Sequence, residues 1–142
     1  MLFRVRREHK STPKALVHPS IADITWAAGF MEGEGSFISR TIGNEVRATQ
    51  VNLEPLKKLQ ILFGGTIRPV KRPLGYRWSQ CYIWKVCGAR ARGLAMTLYT
   101  FMSSKRKTQL RKMLCVAVGA TRGVEETCLV TCYRVIFRDV KQ

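Results

Sequence analysis

The chain has 142 residues, 46% of them hydrophobic, which suits one domain with a real core. Its formal net charge is +16, from 25 Lys+Arg against 9 Asp+Glu, and such an excess predicts a polyanionic partner. No apolar run approaches the ~20 residues of a membrane helix, and the cysteines form no CxxC pair, so neither a membrane partner nor a zinc site is expected.

Residues 1–17 are polar and basic without clear period and read as an N-terminal arm, leaving 18–142 as the single domain. Ser20 with Asp23 fits a capping-box variant and opens a helix over about 21–32, which Gly33 and Gly35 end. Ser36 to Ile42 reads as a strand, Gly43-Asn44 as a turn, and Glu45 to Leu53 as the hairpin partner. Pro55 suits the first turn of a second helix, in which Leu56, Leu59, Gln60 and Phe63 repeat at helical spacing before Gly64-Gly65 stops it. Strands follow at about 66–72 and 76–86 around a Pro73-Leu74-Gly75 turn, then helices at about 89–102 and 105–118. The tail from Val124 to Val140 leans towards helix. The predicted class is α+β, in the order helix, hairpin, helix, hairpin, helix, helix.

Charge is unevenly placed. Between Glu54 and Glu125 there is no acidic residue, while basic residues recur from Lys57 to Arg122. A stretch without counter-charges costs self-repulsion unless a polyanion is met. Cys81, Cys87, Cys115, Cys128 and Cys132 read as buried thiols of a reducing compartment. His9 and His18 lack the neighbours of a zinc or HNH nuclease, and no Gly-rich phosphate loop is present.

The segment Trp26-Ala27-Ala28-Gly29-Phe30-Met31-Glu32-Gly33-Glu34-Gly35-Ser36-Phe37 carries the chemistry. Ala27, Ala28 and Gly29 would let two helices approach closely, and a mid-helix glycine is otherwise unfavourable by roughly 1 kcal/mol. Glu34 sits between two glycines at the helix end. A second copy would bring two carboxylates together, which is costly unless a cation sits between them, and hard oxygen ligands suit Mg²⁺.

Residues Ala27 through Gly35 resemble the LAGLIDADG signature, with Ala27 in place of Leu and Glu at both Asp positions. The resemblance covers about residues 20–118. It implies an αββαββα domain with a curved antiparallel DNA-binding sheet and a homodimer joined through the first helix, with Ala28, Gly29 and Glu32 at the seam. It also implies a homing endonuclease that cuts a long, near-palindromic duplex site by metal-assisted phosphodiester hydrolysis. Glu34 and the Gly33 carbonyl would bind Mg²⁺, with Mn²⁺ or Ca²⁺ able to replace it. Gln50, within Thr49-Gln50, matches the position that orients water, and Lys105 the basic residue facing the scissile phosphate. Glu32 looks structural. The same fold also serves as an intron-RNA-binding maturase or as a DNA-binding regulator without cleavage, and both stay open. The implied setting is intracellular, in an organelle or in a prokaryotic or phage cytoplasm.

The hairpins would form the DNA-reading surface, because a two-stranded ribbon fits the major groove and strands alternate their faces. Ser36, Arg40, Arg47, Arg68, Arg72, Arg77, Ser79 and Lys85 are the candidates on the sheet, with Arg106 and Lys107 beyond it. Trp78, Tyr82, Trp84 and Val86 have the opposite parity to Arg77, Ser79 and Lys85 and are expected to pack under the helices. Ile38 and Ile83 share the parity of the basic residues.

Overall fold

The computed structural model describes residues 13–40, 43–71 and 79–115. Helix α1 (Ile21–Glu34) leads into strands β1 (Gly35–Arg40) and β2 (Gly43–Gln50). Helix α2 (Leu53–Phe63) separates these from β3 (Thr66–Pro69) and β4 (Tyr82–Cys87). Helix α3 (Gly88–Leu98), a 3₁₀ turn at Tyr99–Phe101 and helix α4 (Ser104–Cys115) follow. This is the αββαββα order expected from the sequence, closed by a further helix. The strands form one antiparallel sheet in the order β1-β2-β4-β3.

The local rules explain most boundaries. Ser20 and Asp23 form the full capping box, with the Ser20 N–H and hydroxyl both donating to the Asp23 carboxylate at 3.0 and 2.7 Å. The α1 helix runs two residues past its expected end, because Gly33 stays helical and Gly35 leaves in an extended conformation (φ −77°, ψ 147°). Helix α2 starts at Leu53, expected as the last strand residue, since Asn52 caps it by accepting the Glu54 N–H at 3.0 Å; Pro55 falls in its first turn as expected. Asn44, expected in a turn, is a buried strand residue of β2. Strand β4 starts later than expected, at Tyr82, and the first of the two expected late helices ends at Leu98, the last turn of its expected span being the 3₁₀ turn. The 73–75 turn, Tyr76, Trp78 and the tail helix lie outside the described residues.

One sheet face is covered. Phe37, Val46 and Val86 form one cross-strand row, and Gly35, Ala48, Trp84 and Ile67 another. Ala27, Ala28 and Met31 of α1, Leu56 and Leu59 of α2, and Ala91, Ala95 and Leu98 of α3 join that face in the core. The expected packing of Trp84 and Val86 under the helices is observed, with both side chains fully buried. The Trp84 indole N–H donates to the Gly64 carbonyl at 2.8 Å, so the largest core side chain also has its polar atom satisfied.

That contact requires the Gly64-Gly65 pair. Gly64 has φ +72° and Gly65 φ +93°, and a Cβ on Gly65 would lie 2.6 Å from the Lys85 carbonyl oxygen and 3.0 Å from the Trp84 indole nitrogen. Residues 13–17, expected as part of an arm, are tied down here. The Pro13 carbonyl accepts from Gly65 N–H at 3.0 Å and from Arg90 at 2.6 Å, and the Leu16 N–H donates to Ile61 at 2.9 Å.

Gly65→Ala is expected to cost about 3 kcal/mol, from positive-φ strain plus backbone overlap. Gly88→Ala has the strain (φ +66°) but open space at its Cβ, and is expected to cost only about 1 kcal/mol. Urea denaturation of both variants checks the difference; equal losses would mean that crowding at Gly65 is relieved by movement.

Candidate nucleic-acid interface and active site

The sheet face that no described helix covers is set by the same alternation. Its rows are Ser36, Arg47, Lys85 and Thr66; Ile38, Glu45 and Cys87; and Thr49, Ile83 and Arg68. Arg40 ends β1 on this parity, opposite Gly43. Arg40, Arg47 and Lys85 have side chains 48%, 38% and 43% exposed, so each keeps its charged head in reach of a partner. Arg68 is exposed, and a cleft lined by Thr66, Arg68, Lys85, Cys87 and Arg90 carries the basic surface to the start of α3. Ile38 and Ile83 lie half-buried among these residues. Ser79 is exposed but precedes β4, so strand parity does not set its direction. Arg72 and Arg77 lie outside the described residues.

Glu45 is a component of this face that the sequence reading missed. It is 5% exposed as a residue, and Lys85 Nζ stands 3.1 Å from its carboxylate, Arg47 Nη1 3.7 Å and Arg40 Nη2 3.9 Å. The available signal was its parity, shared with Arg47.

The second cluster lies at one end of the domain. Glu34 is the last residue of α1 and is exposed. Gly35 pairs with Ala48, so Glu34 is brought beside the Thr49-Gln50 end of β2. Gln50 is half-buried opposite Tyr82. Lys105 is exposed in the first turn of α4. It acts electrostatically on Glu32, which ties its helix end to the same corner. Glu34 and the end of β2 that carries Gln50 thus lie towards one end of the β1–β2 pair, while Lys105 starts α4, which Glu32 fastens to α1. Gly33 is exposed in the final turn of α1, where helix geometry leaves carbonyls without intrahelical donors.

Glu32 holds that corner together. Its carboxylate accepts the Ser103 hydroxyl at 2.5 Å and the Ser103 N–H at 3.1 Å. Its carbonyl accepts Arg106 Nε at 3.1 Å and Nη2 at 2.7 Å. Arg106 also donates from Nη1 to Gln109 at 2.9 Å and is half-buried. Most of its N–H fork is thus engaged by the end of α1 and by Gln109, while its charge remains. Lys107 is likewise turned towards the Tyr99 ring, 5.8 Å from its centroid, which Arg111 also contacts.

A further correction concerns Ala28. It is 2% exposed within the subunit, on the α1 face that also buries Ala27 and Met31, so its side chain cannot line a subunit seam. Gly29 and Gly33 lie on the other side of α1, and a Cβ on either meets nothing within 4 Å. Cys87 is exposed and not buried as expected. Among the described residues no helix is long and apolar enough to cross a membrane.

No family model and no curated protein matches the sequence. Among solved structures, the chain is similar to the homing endonuclease I-CvuI in complex with its target in the presence of Ca. The identity is 18%, over 82% of this chain and 98% of that one, with a TM-score of 0.46. A second structure of I-CvuI, with an I-CreI target and Mg and with the DNA not cleaved, is similar at 18% identity over the same shares, with a TM-score of 0.44.

The Ser103 hydroxyl and N–H, followed by the charges of Arg106 and Lys105, hold the Glu32 carboxyl below its ordinary range. A depressed carboxyl contributes stability above its unfolded pKa, and loses it as pH falls through the lower folded value. Glu32→Gln is expected to cost about 1 kcal/mol near neutral pH, the half-exposed position limiting the effect. The gap from the wild type should hold down to about pH 5 and shrink below about pH 4. Urea titrations across that range check it; a gap that persists at low pH would assign the effect to packing instead of charge.

Proposed function

We propose that the chain is a site-specific double-strand DNA endonuclease of the LAGLIDADG type, acting as a homodimer with Mg²⁺. The observation that carries the reading is the placement of Glu34. It stands exposed at the end of the motif helix, where the helix runs directly into a sheet whose face is set with Arg40, Arg47, Arg68 and Lys85. A two-layer domain with one bare, basic antiparallel face has the shape and charge to lie along a duplex.

The donor set fits a hard cation only as half a site. Among the described residues no group of three or more His, Cys, Asp or Glu gathers within one subunit. Glu34 and the open carbonyls of the last α1 turn are oxygen donors of the kind Mg²⁺ takes. A symmetry mate across the Gly29 and Gly33 side of α1 would supply the second carboxylate. That side has the open space for such an approach. When bound there, Mg²⁺ supplies positive charge for phosphodiester hydrolysis. Gln50 holds a water by its amide, and the Lys105 ammonium faces charge developing on the phosphate. Manganese or calcium in the same oxygen set, and an intracellular setting, belong to the same proposal.

The test is cleavage of a duplex library with randomised inserts, with and without Mg²⁺, followed by sequencing of the cut products. One enriched, near-palindromic cut site is expected. Glu34→Gln should lower the single-turnover rate at saturating protein by at least ~10²-fold while DNA affinity holds or rises, since a charge near phosphates is removed. A Glu34→Gln protein that cuts at the wild-type rate overturns the catalytic assignment. Duplex bound tightly but never cut would mark a regulator, and preference for structured RNA a maturase.

A further inference from the structure

We infer that Glu45 is a positioning residue for sequence reading, holding Arg47, Lys85 and Arg40 for the base edges of duplex DNA. The inference rests on the DNA-reading surface proposed above. A carboxylate at the middle of a surface that meets phosphates opposes binding, so its place calls for a compensating role. Glu45 sits on β2 with cations arranged around it on three strands: Arg47 two residues on, Lys85 diagonally on β4, and Arg40 diagonally on β1.

The distances separate positioning from consumption. Lys85 Nζ, at 3.1 Å, gives one of its three donors to Glu45. Arg47 and Arg40 stand at 3.7 and 3.9 Å, beyond hydrogen-bond length, so Glu45 attracts both guanidinium groups without occupying their N–H forks. A fork held in place but unspent is what bidentate reading of guanine N7 and O6 requires, and prior ordering lowers the entropy lost on binding. The carboxylate itself has a side chain only 7% exposed and is ringed by cations, so it does not serve as the base-reading acceptor. It also offsets part of the cluster's charge. That weakens attraction to phosphates of any sequence and leaves base contacts to decide affinity.

The experiment is selection from a random-sequence duplex pool by the full chain, with wild type, Glu45→Gln and Glu45→Asp compared. Wild type is expected to enrich a defined site. Glu45→Gln should lose roughly tenfold or more discrimination at one contiguous block of base pairs in each half-site. Its affinity for the unselected pool should rise, with a steeper salt dependence. Glu45→Asp, which keeps the charge, should retain most of the preference. Should Glu45→Gln not fold, Lys85→Met carries the test and must lose preference at one contiguous block of base pairs in each half-site, where Glu45→Asp keeps most of it. Identical enriched sites and pool affinities for wild type and Glu45→Gln would overturn the inference and leave the reading surface standing. A wild type that enriches no sequence would overturn the surface itself, and this inference with it.

Discussion

At Gly35 a helix becomes a strand with no loop between them, and the rest of the site depends on that junction. A Cβ there would lie 2.4 Å from the Met31 carbonyl oxygen and 2.7 Å from the end of the Met31 side chain, so only glycine lets the chain turn so tightly. Met31 is fully buried and cannot withdraw without opening the core. The Gly35 N–H still donates to the Met31 carbonyl, which caps α1 as β1 begins. Glu34 is thus held at a fixed point between a packed helix and a hydrogen-bonded strand. Its position follows from backbone geometry, and its side chain is left exposed.

Two further acids show how a strongly basic chain uses its few carboxylates. Glu32 fastens α4 to α1 by taking both Ser103 donors, while Arg106 binds the Glu32 carbonyl. That arrangement fixes where Lys105 starts its helix. Glu45 gathers cations from three strands on the bare face. Lys58 contributes on the opposite side of the molecule's logic: it stacks over Trp26 at 4.1 Å and reaches Asp23 at 3.9 Å, bracing α2 against α1. Charge therefore has two separate places, one in joints between elements and one exposed on a sheet face, and net charge alone does not distinguish them.

What was legible in the sequence was local or periodic. The capping box at Ser20 and Asp23 placed the start of α1, and the period of two placed Trp84 and Val86 inwards and Lys85 outwards. The misread residues depend on which side of a helix meets its neighbour. Ala28 and Gly29 are adjacent, yet one is core and the other faces open space, since a helix turns about 100° per residue. Arg106 and Lys107 follow Lys105 in an unbroken basic run, but their directions are set by Glu32 and Tyr99, distant in sequence. Glu45 was missed for the same reason, because its diagonal partners Lys85 and Arg40 become neighbours only when the strands pair.

On the proposed function, one subunit holds half a catalytic site. The most direct measurement mixes wild-type and Glu34→Gln subunits by co-expression at equal levels and follows double-strand cleavage of the selected site. If each cut needs Glu34 from both subunits, only wild-type pairs act, and activity falls to about a quarter of that of the same total amount of wild type, as random pairing in a symmetric dimer requires. Nicked product from mixed pairs, which make up about half of the dimers under random pairing, or double-strand activity of about one half would mean that each chain cuts on its own and that the site is not shared.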